Sequence, residues 1–201
     1  MSSTDTSVRV DGRTERSRRT REAVVDALLA LHDEGDLTPT AQRVAARAGV
    51  ALRTVYGHFS DMETLYAEAG ERELQRLYAV AEPVPADLPL TERIERFCRS
   101  RARVLDYLMP VMRATRLREP FSPQLARNRI RYIASGDAEV ARVFARELRG
   151  PGRRQLLDAL YLATSGPAWD ALRTDRDLDP RQAEAVMRRT VTALLTTEGV
   201  A

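Results

Sequence analysis

Lysine is missing altogether: all 32 basic side chains are arginine, set against 29 acidic ones for a net charge of +3. A bias of that kind is what a GC-rich genome produces, so arginine abundance alone carries no functional weight. Cysteine is nearly missing too. Cys98 is the one cysteine, which excludes an internal disulfide and gives no sign of export. Beside Phe97 it reads as small core packing, with redox sensing as the alternative. Histidine is limited to His32 and His58, and neither lies near a Ser or Cys nucleophile pattern. No Gly-rich phosphate loop, His/Cys metal spacing or paired-carboxylate motif is present. The expectation is no catalytic residue, no metal site and no cofactor. Apolar runs stay well short of eighteen residues, and the N-terminus is polar and Arg-rich rather than leader-like. That predicts a cytoplasmic chain without a membrane span. Convincing strand patterns are absent as well, which leaves an all-α fold.

What remains is ample for a core. The chain has 201 residues, 43% hydrophobic and 30% charged, enough for one large domain or a small and a medium one. Its charge is unevenly spread. Residues 61–90 hold two Arg against seven acids, whereas residues 91–131 hold eleven Arg against four.

The most informative stretch is Thr40 to Leu65, TAQRVAARAGVALRTVYGHFSDMETL. Ala41, Val44, Ala45 and Ala48 recur at helical spacing, the mark of one apolar face. Gly49 stops that helix where a left-handed residue costs least. The apolar spacing restarts at Val55 and Phe59 on a second helix, and small Ala45 and Gly49 permit the two helices to cross closely over a short turn. This is a helix-turn-helix. The outer face of its second helix carries Arg53, Thr54, Tyr56, Gly57 and His58, with no acidic residue. Arg is the best bidentate partner for guanine in the major groove, and Thr, Tyr and His can donate to phosphates or touch base edges. An ordinary solvated helix would show Glu and basic residues at i,i+4 instead.

Val44-Ala45, Ala48-Gly49-Val50, Thr54-Val55-Tyr56, His58-Phe59, Glu63 and Leu65 together resemble the DNA-binding domain of TetR-type transcriptional regulators, over about residues 17 to 80. The resemblance implies that Thr40 caps the first helix of the motif and touches phosphate and that Gln42 stands near the groove. It also implies that Leu52, Arg53 and Thr54 face bases while Tyr56 and His58 hold the backbone. Met62 departs from the pattern, since the family usually has Lys there as a phosphate clamp.

Taken in order, Met1–Gly12 is polar and expected to be disordered. Arg13, Arg16, Arg18, Arg19 and Arg21 then form a basic run entering a first helix. It reads equally as an arm for DNA phosphates and as a merely soluble tail, diluted by Glu15 and Glu22. The first helix carries the stripe Val24, Leu28, Leu31, with His32 as a helix-end packing residue. Ser60, Asp61 and Glu63 suggest a capping box for the fourth helix, and Leu65, Tyr66, Ala69, Leu74, Leu77 and Tyr78 its buried side. Pro83, Pro85 and Pro89 mark a boundary, giving a DNA-binding domain over 13–82 and a regulatory domain over 83–201, joined through the fourth helix.

Beyond it, a helix over 90–108 is expected to be interrupted or kinked at Pro110. A long helix runs from Phe121-Ser122-Pro123 to about Arg149 with a soft spot at Ser135-Gly136. Another spans Arg153–Arg173 and kinks near Pro167. A last helix starts at Asp179-Pro180 with the stripe Ala183, Val186 or Met187, Val191, Leu194.

The last two helices are a natural pair for a four-helix bundle with a second copy, and the resemblance also implies a homodimer. It implies a small-molecule inducer pocket as well. Candidates to line it are Phe97, Arg101, Leu105, Met109, Met112, Phe121, Tyr132 and Trp169, with Phe144 nearby, each also readable as core. Arg101, Arg103, Arg127 and Arg131 would select an anion, or form a solvated face. The expected function is a ligand-responsive DNA-binding regulator, a repressor acting as a dimer on a palindromic double-stranded operator. The alternative is a helical protein-interaction module with a relict DNA-binding head.

Overall fold

The computed structural model describes residues 6–196, with side chains placed from Gly12 onward except for residues 77–80. The described residues are helical and contain no strand. In order they form α1 (Thr6–Asp33), α2 (Ala41–Ala48), α3 (Leu52–His58), α4 (Met62–Val80), α5 (Leu90–Arg118), a 3-10 turn (Glu119–Phe121), α6 (Pro123–Val143), α7 (Arg153–Ala163), α8 (Gly166–Thr174) and α9 (Pro180–Thr196). No helix among them is long and apolar enough to cross a membrane.

The chain divides into two compact units. The first takes the residues up to Arg72 together with Arg113–Ala126; the second takes Glu73–Met112 and everything from Arg127. This differs from the boundary that the prolines suggest. Side-chain contacts supply the reason: Arg118 lies over the Tyr66 ring at 4.0 Å, the Ser122 hydroxyl donates to Glu63 at 3.1 Å, and Leu125 is buried. The end of α5 and the start of α6 are thereby tied into the first unit, while α4 passes from one unit to the other at Arg72.

In the first unit α1 begins at Thr6, so residues 6–12, expected to be disordered, are helical; residues 1–5 of that expected arm lie outside the described residues. Val24, Val25, Leu28, Leu29 and Leu31 are buried. The start of α4 departs from the expected capping box. Asp61 is the cap, its carboxylate accepting from the Thr64 N–H at 2.7 Å, while Ser60 only bonds Thr64 and Asp61 side chains. A carboxylate is the stronger acceptor at a helix N-terminus, and those hydrogen bonds from Thr64 hold the Asp61 carboxyl below its ordinary range. Leu77 and Tyr78, expected on the buried side of α4, have side chains outside the described residues.

The second unit is built on an apolar core in which Phe97 meets Phe144 edge-on at 5.2 Å and Trp169, Leu160 and Met187 are fully enclosed. Ala183, Met187 and Val191 form the buried stripe of α9, leaving Val186 exposed. α5 stays helical through Pro110, and α6 stays helical across Ser135-Gly136 but ends at Val143 rather than near Arg149. The kink expected at Pro167 is instead a full break. The Ser165 hydroxyl caps a new helix by accepting from the Ala168 N–H at 3.3 Å, and Pro167 sits in the first turn of α8, where its missing N–H costs nothing. Cys98 is buried in the core, and burial pushes its thiol up to about 12, which leaves it packing rather than reacting.

Candidate nucleic-acid interface

Helix α2 is set by its two ends. The Thr40 hydroxyl accepts from the Arg43 N–H at 3.3 Å, and Gly49 closes the helix at φ 67° with its N–H on Ala45 and Ala46 carbonyls. The Val50 N–H reaches back to Ala45 O at 3.0 Å, so the chain leaves α2 in a Schellman-type turn. Ala41, Val44 and Ala45 are buried on the inner face. Two residues after Gly49 the chain enters α3, whose buried residue is Val55; Phe59 follows at its end, also buried.

With Val55 and Phe59 turned inward, α3 turns Arg53, Tyr56 and Gly57 to solvent, and Leu52, Thr54 and His58 are half-buried. Thr40 and Gln42 are exposed at the start of α2. Tyr56 stands out, with 51% of its surface accessible although it is a large aromatic. Arg53 has no ion-pair partner among the described residues. That contrasts with its neighbours: Arg43 pairs with Asp36 at 3.0 Å and Arg47 with Glu34 at 2.7 Å. Within α2 and α3, then, the unneutralised guanidinium is the one on the outward face of the second helix.

Two arginines of the basic run before the motif, Arg18 and Arg19, are spent within α1. Arg18 is held between Glu15 (2.7 Å) and Glu22 (2.5 Å), and Arg19 also pairs with Glu15. Those hydrogen bonds from Arg18 and Arg19 lower the Glu15 carboxyl to about 2. Arg21 has a different job, one that the sequence does not reveal. Its guanidinium bonds the carboxylate of Glu68 and the carbonyl of His58, and lies 4.2 Å over the Phe59 ring. It clamps the C-terminal end of α3 to α1 and α4. No periodicity links Arg21 to Glu68, 47 residues away, so only the fold exposes the pair.

Behind the motif, His32 stacks on Tyr66 at 5.7 Å, with Arg118 on the Tyr66 ring at 4.0 Å. Both His32 nitrogens are buried without a hydrogen-bond partner in the protein. Burial, helped by the Arg118 charge and opposed by Asp36, brings the imidazole down to about 4. The expected packing role at the end of α1 is where the side chain sits.

The residues named for an inducer pocket separate. Phe97, Leu105, Met109 and Trp169 belong to the core of the second unit, with Met112 packed against it. Arg101 and Tyr132 line a small cavity with Ser135 and Glu139. Phe121 is 83% exposed and belongs to the first unit, beside Tyr66 and Arg118.

A helix-turn-helix whose second helix offers an acid-free, outward Arg and Tyr, in a chain with no strand among its described residues, suits binding to DNA. Residues 24–69 match the family of bacterial regulatory proteins called tetR. That match covers the helix-turn-helix with the end of α1 and the start of α4, so this segment is similar to the DNA-binding domain of TetR-type regulators. The chain's fold is similar to that of a transcriptional regulator from Rhodococcus sp. Rha1, with a TM-score of 0.70 at 21% identity over 92% of this chain and 98% of that one. It is also similar to a chain from Mesorhizobium loti MAFF303099 assigned as a TetR-family transcriptional regulator (TM-score 0.66, 20% identity, 92% and 99% covered). A third similar fold is that of a chain from Pseudomonas aeruginosa PAO1 assigned as a transcriptional regulator (0.62, 18%, 92% and 92%). No curated protein matches the sequence.

Proposed function

We propose that this protein is a cytoplasmic homodimeric repressor that binds a palindromic operator and is released by a small molecule. The observation that carries the DNA reading is the outward face of α3, where exposed Arg53 and Tyr56 stand beside Thr54 and His58. In this reading Leu52, Arg53 and Thr54 face base edges, and Tyr56, Gly57 and His58 follow the backbone. Thr40 and Gln42 at the start of α2 approach a phosphate and the groove edge.

Replacing Arg53 by Ala should cost about 1–3 kcal/mol of operator affinity and relax the preference at one base position. Fluorescence anisotropy against duplexes substituted at each position reads both quantities. Unchanged affinity together with an unchanged consensus would remove Arg53 from the readout. Tyr56→Phe should weaken binding uniformly across sequences, because its hydroxyl is assigned to phosphate; a shifted consensus in the same assay would contradict that role.

The dimer is assigned to the last two helices expected from the sequence, of which the first, Arg153–Arg173, divides into α7 and α8 ahead of Pro167 and the second is α9. Apolar side chains left exposed on α7 and α9, Leu162 and Val186, favour a covered surface there. A protein sedimenting as a monomer at micromolar concentration would rule the assignment out.

Ligand release follows from the course of α4, which begins directly after the recognition helix and enters the second unit at Glu73. A ligand that favours one arrangement of the second unit shifts the separation of the two heads. Adjacent half-sites lie about 34–36 Å apart, so a small change in spacing costs contacts on one side. The shift is bounded by the ligand's differential affinity for the two states.

A further inference from the structure

We infer that the polar cavity at Arg101, Tyr132 and Glu139 is a recognition pocket for the carboxylate head of a short aliphatic acid. The cavity lies wholly within the second unit, has a volume of about 40 Å³, and is lined on its polar side by these three residues with Ser100 and Ser135. Ala81 and Val104 give it an apolar end.

Arg101 is only 9% exposed. Its Nε donates to the Thr164 carbonyl at 2.9 Å and its guanidinium carbon lies 5.4 Å from the Tyr132 ring centroid, but no carboxylate ion-pairs with it among the described residues. The other strongly buried guanidinium, Arg93, is treated differently: Glu147 takes two of its N–H groups and two backbone carbonyls take others. A buried guanidinium without a counter-ion is costly. The Tyr132 hydroxyl adds to that cost, being buried with no partner in the protein. Glu139 shares the lining: burial raises its carboxyl above the ordinary range, the nearby Arg101 and Arg142 charges oppose that rise, and no ion pair joins it to Arg101 among the described residues. Two donors, the Arg101 guanidinium and the Tyr132 hydroxyl, line one small space and match the two oxygens of a carboxylate.

Size and lining narrow the class. A single water needs about 10–15 Å³, so the space admits a carboxylate carrying one or two further carbons but no aromatic ring. The tail meets Val104 and Ala81. Arg101 also connects the pocket to the rest of the unit, since Thr164 is the residue at which α7 gives way to α8. An anion on Arg101 therefore acts on the α7–α8 junction. Assigning the pocket as the effector site rests on the ligand-released reading given above; the carboxylate binding itself does not.

The test uses the full chain with propionate as probe, propionamide as its neutral isostere, and calorimetry plus thermal melting as readouts. Propionate is expected to bind and raise the melting temperature, and propionamide is not. Tyr132→Phe removes only an oxygen that has no bond in the free protein, so its melting temperature without ligand should be unchanged or higher. Its affinity for propionate should be weaker by about tenfold or more, the loss of one bond to a charged group. Glu139→Gln removes an acid from the lining and should bind at least as tightly. Equal responses to propionate and propionamide, or undiminished binding by Tyr132→Phe, would overturn the proposal. Propionate binding that leaves operator affinity untouched would uphold the pocket and overturn the effector reading alone.

Discussion

Glu147→Ala is expected to destabilise the second unit by about 3–5 kcal/mol, the usual consequence of removing one partner of a buried pair. Arg93 is 2% exposed and its guanidinium meets both oxygens of Glu147, at 2.8 and 2.5 Å. These bonds hold the Glu147 carboxyl below its ordinary range. Without the carboxylate, the positive charge would remain enclosed with only the carbonyls of Leu88 and Val143 for company. The pair spans 54 residues, from the start of α5 to the turn after α6, so its loss unties two distant parts of one core. Trp169 is the single tryptophan and is fully buried in that core, which makes its fluorescence a direct reporter of urea unfolding in this unit. The double replacement Arg93→Leu/Glu147→Leu should recover most of the loss, because no unpaired charge remains. A Glu147→Ala midpoint within error of the parent would show that the pair contributes nothing.

The second large effect is a pH dependence centred on His32. Its folded-state value, about 4, lies below the ordinary 6.5, so the unfolded chain takes up a proton that the folded chain refuses. The contribution to stability is complete above pH 6.5, declines as the pH falls from about 6.5 to about 4, and is exhausted below that. The total amounts to about 3 kcal/mol. Tyr66, Arg118 and Asp36 are the groups around the ring, and an imidazolium there would face the Arg118 charge. His32→Leu isolates the effect from the acid groups that titrate in the same region. The variant should match or exceed the parent at pH 7, since two unpartnered ring nitrogens are lost, and its stability should fall much less between pH 6.5 and 4.5. Parallel pH profiles for parent and variant would refute the buried-neutral assignment. The fit to function is direct, because His32 and Tyr66 pack the helices that carry α2 and α3.

How much of this was legible beforehand depended on range. The helix-turn-helix could be read from local pattern alone: apolar residues at helical spacing, Gly49 in the left-handed position, Thr40 before α2, and an acid-free run from Leu52 to His58. Each of these is a short-range constraint that leaves a mark within one or two turns. Competition between neighbouring short-range signals was less readable. Ser165 and Pro167 together favour a new helix start over a kink, and Asp61 displaces Ser60 as the cap of α4. The long-range partners were not readable at all. Arg21 with Glu68, Arg93 with Glu147, and Arg101 with Thr164 join residues 47, 54 and 63 positions apart. In a chain whose basic residues are all arginine, nothing in composition separates these three from the solvated ones. The pocket candidates illustrate the remaining gap: helical spacing says that Phe97, Leu105 and Trp169 face inward, but inward-facing residues meet either protein or ligand. Distinguishing the two needs an unmet polar group, and the Tyr132 hydroxyl is one that only the packed structure reveals.

The central claim, a dimer reading a palindrome through the outward face of α3, is tested most directly by selecting bound duplexes from a random pool with the purified full chain at near-physiological salt. The account predicts enrichment of an inverted repeat with half-site centres about one helical turn, 34–36 Å, or a multiple of it apart, and loss of one base preference per arm with Arg53→Ala. A folded, dimeric protein that enriches no sequence would contradict it.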